Sequence, residues 1–117
     1  MKTISLLAFV GMLGFLASCS INPHSMDMTQ ALQDAKTPAD HAKLATHYDE
    51  AANEMQATAD EHKKLLAQYE RNRGMYGKQA QNLINHCQGL VRIYEQAAAE
   101  NRMMAEAHRL MSVEPKS

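Results

Sequence analysis

Bulky aromatic side chains are almost missing from this chain of 117 residues, which has no Trp and only two Phe. Both Phe residues, Phe9 and Phe15, lie near the N-terminus. The remaining residues therefore depend on Ala, Met, Leu and four Tyr for any core they form. Such a composition favours long helices that pack closely, and it argues against a globular core built around large rings.

Basic clusters and catalytic motifs are also missing. Twelve Lys and Arg residues stand against 13 Asp and Glu residues, for a formal net charge of −1, and no basic stripe of the kind that binds nucleic acid is present. The chain has no Gly-rich phosphate loop, no GxSxG or HExxH motif and no CxxCH haem attachment motif. Its acidic residues are typical of a solvated helix face. We therefore expect neither an enzyme nor a nucleic-acid partner.

The N-terminal residues have the pattern of an export signal. Lys2 precedes an uncharged apolar stretch, Ile4 to Leu16, which is too short to span a bilayer as a lasting helix. The run Leu16-Ala17-Ser18-Cys19 follows directly. It resembles the lipobox of bacterial lipoprotein precursors, which implies that lipid such as palmitate is added to Cys19 and that the signal is cut off before it. An ordinary secretory signal with an incidental cysteine is the alternative.

The same resemblance implies an address. In lipoproteins the residue after the cysteine helps to sort between membranes, and Ser20, which is not Asp, implies the outer membrane of a Gram-negative cell. The expected location is the inner leaflet of that membrane, facing the periplasm.

The rest of the chain predicts an all-α fold. We divide it into a signal peptide (1–18), the lipidated cysteine with a partly helical tether (19–36), a helical domain (37–112) and a tail (113–117). Thr37 is a suitable N-cap, and the helical pattern after it runs to about Asn72. Gly74 and Gly77 then predict a turn, and a second helix follows from about Lys78 to Met111. Two long helices joined by a short loop make an antiparallel hairpin, similar to a coiled coil.

The hydrophobic pattern defines the faces of the two helices. The first helix has a heptad core row, which consists of His41, Ala45, Tyr48, Ala52, Met55, Ala59, His62, Leu66 and Tyr69. One half of this row has small side chains, namely Ala45, Ala52 and Ala59. The second has a central line at a spacing of seven: Cys87, Tyr94, Asn101 and His108. Apolar rows flank this line on both sides, beginning at Leu83 and at Ile84. A face three rows wide exceeds what one partner helix covers, so we expect a homodimer that forms a four-helix bundle.

Polar residues recur inside this predicted core. Folding the hairpin at its turn pairs positions whose numbers add up to about 149, and the predicted layers are His41 with His108, Tyr48 with Asn101, Met55 with Tyr94, and His62 with Cys87. His47, six residues after His41, is expected to face solvent. Polar layers of this kind satisfy one another by hydrogen bonding and fix the register of an Ala-rich bundle.

The same layers carry a second interpretation, which is metal or haem binding. The nitrogen and sulfur donors form this candidate set: His41, His62, His86, Cys87 and His108. Copper, zinc or haem iron accepts such ligands, and two hairpins related by a dyad would complete a Cys₂His₂ or His₄ set. With Cys19 lipidated, Cys87 has no partner for an intrachain disulfide, so it is a buried thiol, a metal ligand or a bridge to another chain.

Two functional hypotheses follow. The first is a membrane-anchored structural or adaptor lipoprotein that presents a helical surface to an envelope partner. The second is a lipoprotein that handles copper, zinc or haem through its His and Cys layers.

Overall fold

A computed structural model of the chain describes residues 26–113, and this range contains helices and no strand. Three α-helices, α1 (Met28–Asp34), α2 (Pro38–Arg71) and α3 (Arg73–Tyr76), precede a 3₁₀ turn (Gly77–Gln79), and a long helix, α4 (Ala80–Val113), follows it. The predicted all-α fold is confirmed. The predicted signal peptide and lipobox lie outside the described residues.

Thr37 caps the start of α2, as the sequence predicts, and it forms a capping box with Asp40. The Thr37 hydroxyl oxygen accepts a hydrogen bond from the Asp40 backbone N–H at 3.2 Å, and the Asp40 carboxylate accepts one from the Thr37 backbone N–H at 3.0 Å. The same carboxylate also accepts from the Lys36 backbone N–H at 3.0 Å. These bonds, that from Lys36 first and those with Thr37 next, lower the pKa of the Asp40 carboxyl group. Asp40 therefore stays charged and fixes the direction in which α2 leaves the tether.

The turn between the long helices is more helical than the sequence indicates. Gly74 lies inside α3, and α4 begins at Ala80, two residues later than predicted. Gly77 ends α3 with φ 52° and ψ −129°, a conformation that side-chain-bearing residues rarely adopt. The rings of Tyr69 and Tyr76 meet edge to face with centroids 4.9 Å apart, which ties α3 to the end of α2.

The two long helices pack antiparallel through small side chains. His41 near the start of α2 meets His108 near the end of α4, whereas Lys63, further along α2, meets Glu95, earlier in α4. Five alanines from the two helices are completely buried: Ala51, Ala52, Ala59, Ala98 and Ala105. Because Ala has only a methyl group, this row lets the two backbones approach closely. A close approach leaves little space for larger residues between the helices.

The apolar row of α4 that begins at Leu83 is only partly covered by α2. Met104 is 42% exposed and Met111 is 39% exposed, whereas Leu83 and Leu90 of the same row are partly buried. The expectation that α4 presents more apolar surface than one helix covers is therefore confirmed. Within residues 26–113 no helix has the length and apolar character needed to cross a membrane.

The close packing generates a prediction about Ala52. Ala52→Leu adds three carbons at a fully buried position, so we expect it to lower the free energy of unfolding by about 1–3 kcal/mol. Ala57 lies on the exposed side of the same helix, and Ala57→Leu is the matched control, with an expected change within about 0.5 kcal/mol. Urea unfolding followed by circular dichroism measures both values. Equal effects of the two substitutions would mean that the row has space to spare.

Candidate functional site

A partly buried polar contact between α2 and α4 joins two histidines. The Nδ1 atoms of His41 and His108 are 3.1 Å apart. The ring centroids are 5.3 Å apart and the ring planes differ by 18°, so the facing nitrogens lie close to the line between the ring centres. The rings therefore meet edge to edge, which is the geometry of an N–H···N hydrogen bond. One Nδ1 donates and the other accepts, so the contact holds one proton and is incompatible with two imidazolium rings.

Tyr48 completes this cluster from α2. Its ring lies parallel to the His108 ring, within 7°, at a centroid distance of 5.5 Å. His108 is only 5% exposed. Burial lowers the pKa of the His108 imidazole, and the nearby charge of His41 lowers it further. The predicted His41–His108 layer is thus confirmed, and Tyr48 joins it.

The second predicted ligand layer has a different arrangement. The ring of His62 lies parallel to Tyr94, within 9° and with centroids 5.7 Å apart. Its Nδ1 atom is buried and has no hydrogen-bond partner, so the predicted pairing with Cys87 does not extend to a hydrogen bond at this nitrogen. Cys87 is a free thiol and is 6% exposed. The sequence left Cys87 as a buried thiol, a metal ligand or a bridge to another chain. Within a single chain it is a buried thiol.

Two other histidines differ from the sequence interpretation. His86 is exposed and so lies away from the buried side chain of Cys87. His47, which was expected to face solvent, is 3% exposed, and that prediction was wrong. The expectation considered only the face of α2 toward α4. Met26, which precedes α1, lines the same cavity as His47, so the chain before Thr37 reaches this side of α2 as well.

Two ring contacts across the helices lie one heptad from the predicted layers, whereas the His41–His108 contact lies within its predicted layer. Tyr48, predicted opposite Asn101, lies against His108, and Tyr94, predicted opposite Met55, lies against His62. The Asn101 side chain donates a hydrogen bond to the Ala97 carbonyl oxygen of its own helix at 2.8 Å. Helical side chains lean toward the N-terminus of their own helix. In an antiparallel pair the side chains of one helix therefore lean toward those of the other. This lean brings the rings of Tyr48 and Tyr94 to residues seven positions away from the ones that lie level with their own backbones.

Two ion pairs between the helices were missed from the sequence, where the acids were assigned to a solvated face. Asp49 accepts from Arg109 at 2.6 Å, and Lys63 pairs with Glu95. Arg109 also pairs with Glu106, and this contact together with Asp49 raises the pKa of the Arg109 guanidinium. Water screens the charges of pairs this exposed, so the pairs define register more than they stabilise.

The ligand chemistry of the site is limited to pairs. Among residues 26–113, no group of three or more His, Cys, Asp and Glu side chains converges as a metal site would require. His41 and His108 come together, whereas His62, His86 and Cys87 do not form a set with them. In comparisons with protein-family models, curated proteins and solved structures, none matches the chain. The function is therefore inferred from the residues of this chain.

The His41–His108 pair predicts loss of stability in mild acid. The pKa of His108 is lowered in the folded chain, so the unfolded chain binds more protons once the pH falls below the ordinary value of 6.5. The free energy of unfolding therefore loses nothing through His108 above pH 6.5, and it declines as the pH falls from 6.5 toward the lowered pKa of His108. Urea midpoints at a fixed chain concentration should therefore drop between pH 7.5 and pH 5.5.

Two variants assign this pH dependence. His108→Leu should make the urea midpoint less sensitive to pH, because the buried group that resists protonation is gone. Lys64→Gln is the control, because it removes a charge at an exposed position of α2 and should leave the pH dependence as in the parent. A His108→Leu protein with the full pH dependence would contradict the assignment to this pair.

Proposed function

We propose that this chain is a lipid-anchored lipoprotein of the bacterial envelope, and that its hairpin of α2 and α4 serves as a structural or adaptor module. The anchor is inferred from the run Leu16-Ala17-Ser18-Cys19, which resembles a lipobox. The module is inferred from one observation about the folded domain, which is that apolar residues of α4 remain exposed beside the α2·α4 interface. Surfaces of this kind are typical of protein interaction sites.

The proposal includes self-association. The α2·α4 interface is built largely from alanines, which bury little apolar area for each residue that becomes ordered. A second hairpin placed on the exposed row of α4 adds the burial that one hairpin lacks. Two hairpins then form a four-helix bundle, the common solution for helices with apolar faces wider than one partner covers.

Metal or haem handling has less support as a function. The strongest pair of metal-ligating nitrogens, His41 and His108, meets in the geometry of a hydrogen bond, with the lone pair of one Nδ1 directed at the N–H of the other. A metal needs those lone pairs to converge on a third point. The other candidate donors, His62, His86 and Cys87, are not grouped with them. The polar cluster is better explained as a device that fixes helix register.

The lipid anchor is tested by labelling cells with palmitate. The chain expressed in a Gram-negative bacterium should incorporate the label and fractionate with the outer membrane. Cys19→Ala should abolish the label, because the thiol that carries the lipid is gone, whereas Cys87→Ala is the matched control and should keep it. Ser20→Asp should shift the labelled protein toward the inner membrane. Label retained in Cys19→Ala would refute the anchor.

Self-association is tested separately by sedimentation equilibrium. The full chain, purified in density-matched detergent, should sediment as a dimer at micromolar concentration, because the apolar row of α4 gains cover only from a second copy. Chemical unfolding should then depend on chain concentration, as it does when folding and association are linked. A cooperatively folded monomer at that concentration would remove the bundle from the proposal while leaving the lipid anchor untouched.

A further inference from the structure

A second heptad pattern runs along α4 on a side that α2 leaves open. Its nine positions are spaced alternately by three and four residues, and we call them the outer seam: Leu83, His86, Leu90, Ile93, Ala97, Glu100, Met104, Ala107 and Met111. Ile93 is 59% exposed and Met104 is 42% exposed. The spacing is that of a coiled-coil contact row. Seven of the nine side chains are apolar, and the two polar ones are His86 and Glu100.

The outer seam lies on one edge of the α2·α4 interface, and charges occupy the other edge. Both ion pairs between the helices use residues of α4 that directly follow the central line, Glu95 after Tyr94 and Arg109 after His108. One residue further along a helix lies about 100° around the axis in one direction, and three residues further lies about 60° around in the other. The row with Met104 and Met111 is therefore opposite the ion-paired edge.

The outer seam is continuous with the established helix interface. Leu83, Leu90 and Ala97 are already partly buried at its boundary, whereas Ile93, Met104 and Met111 are more exposed. A new helix laid on the seam thus extends an existing apolar core instead of forming an isolated contact. The question is which helix fits, and the two polar positions of the seam answer it.

We propose that the part of the outer seam from Leu83 to Met104 binds the same part of a second copy of this chain, with the two α4 helices antiparallel and a dyad near Ile93. This inference rests on the dimer of the proposed function and identifies its surface. Ile93 lies seven residues after His86 and seven before Glu100. A dyad near Ile93 therefore places each His86 level with Glu100 of the partner subunit. The imidazole N–H donates to a carboxylate there, and this happens twice in the dimer.

The parallel alternative is disfavoured by the same two residues. In a parallel pair each residue of the seam faces its own counterpart, so two Glu100 carboxylates would meet inside an apolar row. Like charges placed opposite each other in an interface oppose binding. The chain thus contains both an attraction that selects the antiparallel dimer and a repulsion that rejects the parallel one.

A charge exchange tests the orientation. His86→Glu places a carboxylate opposite Glu100 of the partner subunit, and we expect the dissociation constant of the full chain in detergent to rise by about tenfold or more. His86→Glu combined with Glu100→Lys restores opposite charges in the antiparallel pair, so the double variant should return close to the parent value. In a parallel pair the double variant would set Glu against Glu and Lys against Lys, and it would stay weak.

Control variants and contrary outcomes separate this inference from the proposed function. Glu70→Lys makes the same charge reversal at an exposed position of α2 outside the seam, and it should leave the dissociation constant unchanged. Both positions changed in the seam are exposed, so helicity by circular dichroism should persist in every variant. A parent dimer that ignores His86→Glu, or a double variant that stays weak, would overturn the antiparallel seam alone. A monomeric parent chain would overturn the dimer itself.

Discussion

The close approach of α2 and α4 through buried alanines is the constraint on which the rest of the structure depends. Ala52 and Ala59 of α2 and Ala98 and Ala105 of α4 have no exposed surface, so the backbones are near each other along much of the hairpin. Methyl groups secure this proximity but bury little apolar area. Larger apolar side chains are buried at Leu44 and Ile84, and others lie at the edges of the interface. One edge carries ion pairs, and the other carries the partly exposed apolar row of α4.

The open end of the hairpin, far from the turn, is held by a polar cluster instead of a large hydrophobic residue. His41 and His108 share one hydrogen-bonded proton, and the ring of Tyr48 covers His108. Directionality is what such a cluster adds, since an N–H···N bond requires one alignment whereas two methyl rows tolerate sliding. The cost is sensitivity to acid, because burial disfavours the charged form of His108. Register and pH dependence therefore have the same source.

Sequence patterns predicted the helix start at Thr37, the Gly77 turn and the His41–His108 layer, because capping, backbone conformation and loop length act locally or through simple geometry. The ring contacts of Tyr48 and Tyr94 depended on where long side chains end, and the tilt of these side chains along each helix brings the rings to residues one heptad away. The burial of His47 was not predictable from two helices alone, since Met26 from another segment lies beside it. The hydrophobic pattern of the sequence predicts which face of each helix is buried. To predict the individual contacts, one must also know how long each side chain is and in which direction it points.

Antiparallel pairing of α4 also bears on how the proposed lipoprotein meets a membrane. Each 34-residue helix is roughly 50 Å long, and α2 begins at the end of the hairpin where α4 finishes. A dyad across the middle of α4 places the two starts of α2 at opposite ends of the bundle. If both chains are anchored through Cys19 to one membrane, as proposed, the bundle would lie lengthwise along the lipid surface, because an upright bundle would need one tether to reach across its full length. The surface offered to an envelope partner would then be the long side of the bundle, including the ion-paired edges at Asp49 and Lys63.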